Sequence, residues 1–257
     1  MGHSVNLSAI DSEKILTYSY NKNIATLTMN RPEQYNCLSE ELLDTLESQL
    51  LKISNDKNTH VVILEGNGPA FCAGHDLKQM RANPSKDYYQ KLFKRCSQFM
   101  LTITQIPQPV IAKVHGVAAA AGCQLVAACD LAIGSENATF ATTGVNLALF
   151  CSTPSVAVSR NLSRKRAAEL LFTGDMMSAK DAKEFGLINK CVPENQLHQE
   201  TQDLATKIAK KPKIAIATGK KMLYKQLEMN LENAYNYASD IMACNMMEKD
   251  TLEGIAA

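Results

Sequence analysis

Hydrophobic positions change their period repeatedly along this chain, and each change marks an element. Ile15–Met29 (ILTYSYNKNIATLTM) breaks at Asn21-Lys22-Asn23, which predicts two strands joined where asparagine tolerates left-handed backbone. Arg31-Pro32 closes the second strand. Ser39 then opens a leucine repeat at helical spacing that runs to Leu50, with the serine as N-cap. His60–Glu65 is a short apolar run ended by Gly66-Asn67-Gly68-Pro69, the pattern of a buried strand. Strand, helix and strand in this order predict an α/β core with parallel pairing.

Phe71-Cys-Ala-Gly-His-Asp-Leu-Lys78 follows directly, and Gly74 predicts a tight turn with exposed amides. Asp87–Thr104 is a second helix whose stripe of Leu92, Phe93, Phe99 and Met100 reads as core. Val110–Ile133 (VIAKVHGVAAAAGCQLVAACDLAI) organises the rest. It opens as a buried strand, breaks at His115-Gly116, loses nearly all side-chain volume over Val117–Gly122, and continues as a helix-compatible segment to Cys129. The first amides of a helix have no partner within it and carry partial positive charge. Surrounded only by methyl groups and hydrogens, such amides are open to a substrate oxygen, the geometry of an oxyanion hole. The same run also suits close helix packing.

Leu131–Ile133 and Ala138–Ala141 read as further strands, and Val145–Pro154 as an apolar loop of unassigned structure. Arg164–Thr173, Ser178–Gly186 and Gln196–Lys210 read as helices, the second framed by an N-cap serine and a terminal glycine. From Pro212 onward the pattern stays helical, with Gly219 as a weak point. We therefore divide the chain into a strand-rich core, residues 1–190, and a helical C-terminal portion, residues 191–257.

Charge narrows the partners. Lys+Arg 27 against Asp+Glu 26 leaves +1 over 257 residues, so nothing biases the chain toward nucleic acid or an anionic membrane. Lys113, His115, Gln124 and Asp130 interrupt the longest apolar window and exclude it as a membrane span. Trp is absent and aromatics make up 6%, which argues against a base-stacking platform. The eight cysteines form no CxxC pair, suggesting reduced thiols and no zinc site. No apolar segment follows Met1–Ser4, so no secretory signal is visible.

Arg31-Pro32 with Asn36-Cys-Leu38, Phe71-Cys-Ala-Gly-His-Asp-Leu77, Gly116 through Asp130, Phe140, Phe172-Thr-Gly-Asp175, Ser178–Ala182 and Gly186-Leu187 occur in an order that resembles the crotonase superfamily, the enoyl-CoA hydratase/isomerase family. The resemblance implies a spiral of ββα turns followed by a C-terminal trimerisation portion. It implies trimers or hexamers, a bent acyl-CoA, and no cofactor beyond the coenzyme A of the substrate. It implies the mitochondrial matrix if the chain is eukaryotic, or the cytoplasm if bacterial. By position, the thioester carbonyl would sit between the N–H groups of His75 and Ala121. Ala73, Asp76, Leu77 and Lys78 would line the CoA path, with Gln34 and Tyr35 near the nucleotide.

The acid–base groups depart from that pattern. Gln124 and Gly144 stand where hydratases of the family carry two glutamates, and Ser152 where dienoyl isomerases carry an acid. An amide and a glycine cannot titrate, and general acid–base help is worth ~10²–10⁴-fold. His75 and Cys151 are the remaining groups able to move a proton. Thr143 and Asn146 could orient water, His115 reads as structural, and Asp130 and Glu136 as solvent or cap residues. Three readings stay open: a hydratase/isomerase-type lyase with altered acid–base groups, a decarboxylase of malonyl-type thioesters, and a non-catalytic acyl-CoA binding protein.

Overall fold

The computed structural model describes residues 15–256; Met1–Ser4 lie outside them. Strands β1 (Leu16–Asn21) and β2 (Ile24–Met29) form an antiparallel hairpin. Its two turn residues, Lys22 and Asn23, both take positive φ, 47° and 67°, as a turn matched to strand twist requires. Helix α1 (Glu40–Ser54) is capped by Ser39, which accepts from the Leu42 amide. Strands β3 (Val61–Gly66) and β4 (Ala70–Cys72) follow, then α2 (Leu77–Ala82) and α3 (Lys86–Gln105).

The middle of the chain repeats that unit. Strands β5 (Val110–Val114) and β6 (Val117–Ala119) lead into α4 (Ala121–Ala128). Strands β7 (Leu131–Ser135) and β8 (Thr139–Ala141) lead into α5 (Ser152–Asn161) and α6 (Arg164–Thr173). Each pair divides itself between two sheets. One has the order β1-β2-β3-β5-β7-β10, with β10 at Lys190–Val192; the other runs β4-β6-β8-β9, with β9 at Met177–Ser178. All pairings are parallel except β1 with β2 and β8 with β9. Successive ββα units thus wind the chain as a spiral, and the class is α/β.

The six-stranded sheet is covered on both faces, so its central strands are mostly apolar, as parallel strands tend to be. On β3, Val62 and Leu64 face the main core with Leu27, Leu42, Leu46 and Phe99, whereas Val61 and Ile63 pack with Ala205. Ala205 belongs to α8 (Glu194–Ala209), which follows α7 (Ala179–Phe185).

Three details differ from the sequence reading. The apolar loop ends at Cys151, and Ser152–Asn161 is a helix; Pro154 falls in its first turn, where a missing N–H costs nothing. Helix α9 (Lys213–Gln226) runs unbroken through Gly219 and is followed by α10 (Leu231–Met246) and α11 (Lys249–Ala256). Asp130 is not a solvent residue. Its carboxylate accepts from the Val110 amide at 2.7 Å, Lys220 Nζ at 2.7 Å and the Tyr224 hydroxyl at 2.9 Å. Lys220, only 5% exposed along its side chain, also donates to the Ile103 and Gln108 carbonyls. This network ties the C-terminal helices to the spiral.

Candidate functional site

The site begins with a buried asparagine. Asn36 donates to the carbonyls of Asn67 and Ala70 at 2.9 and 2.8 Å and accepts from the Arg31 amide at 2.9 Å. It thereby fixes the turn after Arg31-Pro32 against the entry to β4. Two residues on, the Leu38 amide donates to Gly74 O at 2.7 Å and Leu38 O accepts from the Asp76 amide at 3.3 Å. These two bonds make a parallel bridge between Leu38 and His75. In such a bridge the central residue's own N–H points to the opposite side. The His75 amide is therefore turned away from Leu38.

Gly74 makes that turn possible, with φ +104°. A Cβ on Gly74 would lie 3.0 Å from the Ala120 Cβ and 3.4 Å from the Ala121 nitrogen, so the Gly74 turn is pressed against the start of α4. Ala120, the residue before that helix, takes φ 49° and ψ −114°, a conformation that costs an L-residue about 1–3 kcal/mol. Its amide donates to Ala141 O at 2.8 Å. Strand β4 lies closer still to α4: a Cβ on Gly122 would stand 1.9 Å from the Cys72 carbonyl oxygen. The small-residue run is thus a packing requirement of this contact.

The His75 ring meets Phe93 edge-on at 5.4 Å, and Phe93 stacks on Tyr89. Its Nε2 is buried without a hydrogen-bond partner, and burial pushes the imidazole down to about 4, keeping it neutral at physiological pH. Gln124 lies one turn into α4, 3% exposed, with Oε1 equally unpartnered. The sequence marked Phe93 only as core; its contact with the imidazole was not legible there.

Gly144 follows β8 in a short 3-10 segment, Thr143–Leu147. Its amide donates to Cys151 Sγ at 3.3 Å. A Cβ there would meet Leu149 O at 2.3 Å and that sulfur at 2.8 Å. Burial pushes the Cys151 thiol up despite the Gly144 hydrogen bond, and Cys123 on α4 is raised to about 12 by burial. Neither is a ready thiolate. Ser152 starts α5 and is exposed.

The residues assigned to the CoA path lie on two neighbouring segments, 34–35 and 73–78. The Ala73 amide donates to Tyr35 O at 3.0 Å. Gln34, Tyr35, Leu77 and Lys78 are exposed around it. Asp76 caps α2, accepting from the amides of Lys78 and Gln79 at 3.1 and 3.2 Å, and pairs with Arg31 at 3.2 Å. Although partial burial opposes it, these bonds and the Arg31 charge hold the Asp76 carboxyl below its usual range. That carboxylate is engaged in structure. His115 Nε2 is bonded to Gly68 O at 2.8 Å, the structural role its sequence suggested. No cluster able to hold a metal occurs among the described residues.

The model of the enoyl-CoA hydratase/isomerase family matches residues 19–257. The chain belongs to the enoyl-CoA hydratase/isomerase family. It is 44% identical to enoyl-CoA hydratase domain-containing protein 3, mitochondrial, of Rattus norvegicus, over 96% of this chain and 83% of that one. Among solved structures, an enoyl-CoA hydratase of Mycobacterium smegmatis is 50% identical with a TM-score of 0.93, covering 95% of each chain. Human enoyl-CoA hydratase domain-containing protein 3 is 42% identical with a TM-score of 0.92, over 95% of this chain and 96% of that one. The spiral is therefore the crotonase fold, as its motifs implied.

Proposed function

We propose that this family member binds an acyl-CoA thioester and stabilises negative charge on its carbonyl oxygen between the N–H groups of His75 and Ala121. The observation that carries this reading is the contact of the Gly74 turn with the Ala121 nitrogen, combined with a His75 amide turned away from its bridge partner. Deprotonation at Cα, addition of water and loss of CO₂ all build charge on that oxygen. A prearranged donor contributes about 3–4 kcal/mol to such a step. Gln34, Tyr35, Ala73, Leu77 and Lys78 would contact coenzyme A, and Asp76 would hold the turn that presents them.

Ordinary hydration would be weak, because Gln124 and Gly144 supply no proton carrier and Asp76 is committed to Arg31 and the α2 amides. That same lack of a free carboxylate favours, as a second reading, decarboxylation of a malonyl-type thioester, which needs the two donors but no base. The relatives named as mitochondrial support a matrix location if the chain is eukaryotic. Exposed Leu223 on α9, Leu227 just after it, and Leu231 and Tyr235 on α10 support assembly into a trimer or hexamer.

Calorimetry with butyryl-CoA and its thioether analogue lacking the carbonyl tests the binding mode. The thioester should bind about tenfold tighter; equal affinities would remove the carbonyl from the site. Assays of crotonyl-CoA hydration and methylmalonyl-CoA decarboxylation assign the chemistry, and binding without turnover in either would mark an acyl-CoA binding protein.

A further inference from the structure

The segment that carries β5, β6 and α4 is closed on itself. Asp130, which follows α4, accepts from the amide of Val110, the first residue of β5, at 2.7 Å. At that junction one buried ammonium joins three pieces of chain. Lys220 Nζ donates to Ile103 O on α3 at 2.7 Å, to Gln108 O just before β5 at 2.9 Å, and to Asp130 Oδ2 at 2.7 Å. Those three bonds engage every hydrogen the ammonium has. Tyr224, one turn further along α9, donates to the other Asp130 oxygen at 2.9 Å.

The two helices fastened there are the ones behind the two amides of the candidate site. Helix α4 begins with Ala121, and α3 carries Phe93, against which the His75 ring packs. With eight residues in α4, its first amide stands about 12 Å from its anchored end. At the site end Ala120 supplies no side-chain cap, and its amide bond to Ala141 O at 2.8 Å ties it to β8. The far end is held harder, by Asp130 and by Asn161 Nδ2, which donates to Ala127 O at 2.9 Å. A carboxylate just past the C-terminus of a helix opposes the helix dipole, and the Lys220 charge cancels it. Buried ion pairs often add nothing to stability over apolar packing of the same volume, so stability alone does not account for a charged clamp at this point.

We propose that Lys220 is a positioning residue for the acyl-CoA site: by clamping the ends of α3 and α4 together, it sets the spacing of the His75 and Ala121 N–H groups without touching the ligand. The inference rests on the acyl-CoA reading of the site. An apolar group in place of the ammonium releases the Ile103 and Gln108 carbonyls and Asp130 from one another, so the two helix ends can part. The two donors then no longer converge on one oxygen. The residues assigned to coenzyme A, on segments 34–35 and 73–78, make none of the three bonds lost.

Dissociation constants of butyryl-CoA and of its thioether analogue, measured by calorimetry on the full chain, give a ratio that reads the carbonyl contact alone. The unaltered protein should prefer the thioester about tenfold. Lys220→Met should bring that ratio close to one, while the thioether keeps its affinity within about twofold. A merely structural role would weaken both ligands alike and leave the ratio at about ten, which overturns the proposal. Tyr224→Phe takes one bond from Asp130 but keeps the ammonium clamp, and should keep the ratio; an equal fall there would overturn the assignment to Lys220. Should Lys220→Met fail to fold, Lys220→Met with Asp130→Asn removes the clamp without stranding a carboxylate, and the same ratio decides. A ratio of one in the unaltered protein would instead overturn the carbonyl reading of the site, and the role given to Lys220 with it.

Discussion

The Gly144 amide donates to the Cys151 thiol, and the sulfur lies 2.8 Å from where a side chain on residue 144 would begin. The Leu149 carbonyl oxygen is nearer still, at 2.3 Å. The loop leaves no room for a side chain at residue 144, the position where the resemblance implies a second glutamate in hydratases. Gly144→Glu should therefore lower the melting temperature by several degrees, the effect of an overpacked core at about 1–3 kcal/mol. The pair Gln124→Glu with Gly144→Glu should not create crotonyl-CoA hydratase activity. A double variant that folds normally and hydrates crotonyl-CoA would show that this wall yields.

A buried neutral histidine makes stability depend on pH. The His75 imidazole titrates at about 4 in the folded chain because burial disfavours its charged form, against about 6.5 when unfolded. Between those values the unfolded chain binds the extra proton, so stability rises with pH. Its contribution is complete above about 6.5 and lost progressively as pH falls toward 4, up to about 3 kcal/mol. Urea unfolding of His75→Leu should be flatter across that window than unfolding of the unaltered chain. Parallel profiles would show that the imidazole is open to solvent.

Ala120 stores strain where the chain turns into α4. Its φ of 49° with ψ −114° suits glycine, so Ala120→Gly should be neutral or stabilise by up to about 1 kcal/mol. Ala119, in the regular strand beside it, sets the contrast: Ala119→Gly should destabilise by at least about 0.5 kcal/mol. Thermal melts of the two variants should move in different directions or by clearly different amounts.

Lys220 and Asp130 form a buried pair whose loss is uneven. Lys220→Met strands a carboxylate that now has only the Val110 amide and the Tyr224 hydroxyl. It should cost about 3–5 kcal/mol, as breaking one side of a buried pair does. Adding Asp130→Asn should recover part of that loss. A double variant less stable than Lys220→Met would contradict this account.

How far these relationships could be read in advance differed by element. The apolar runs at Val61–Leu64 and Val110–Val114 announced strands because both faces of their sheet are covered. The Gly74 turn and the thin start of α4 were legible because each requires residues without bulk. Helix α5 was missed because STPSVAVSRN carries no clear apolar stripe, burying only Pro154 and Val158. The burial of Lys220 was invisible because its partner lies 90 residues away. Gly144 could be read as a missing acid, but the barrier to restoring one depends on the path of Leu149–Cys151.

The six-stranded sheet has another consequence, for biosynthesis. From β1 to β10 each new strand joins the edge left by the one made before it, so a chain leaving the ribosome can extend its sheet one strand at a time without threading between strands already paired. The turns at Gly74 and Ala120 would meet while the last hundred residues were still being translated. Lys220 would reach Asp130 only afterwards, a late latch on an already wound coil.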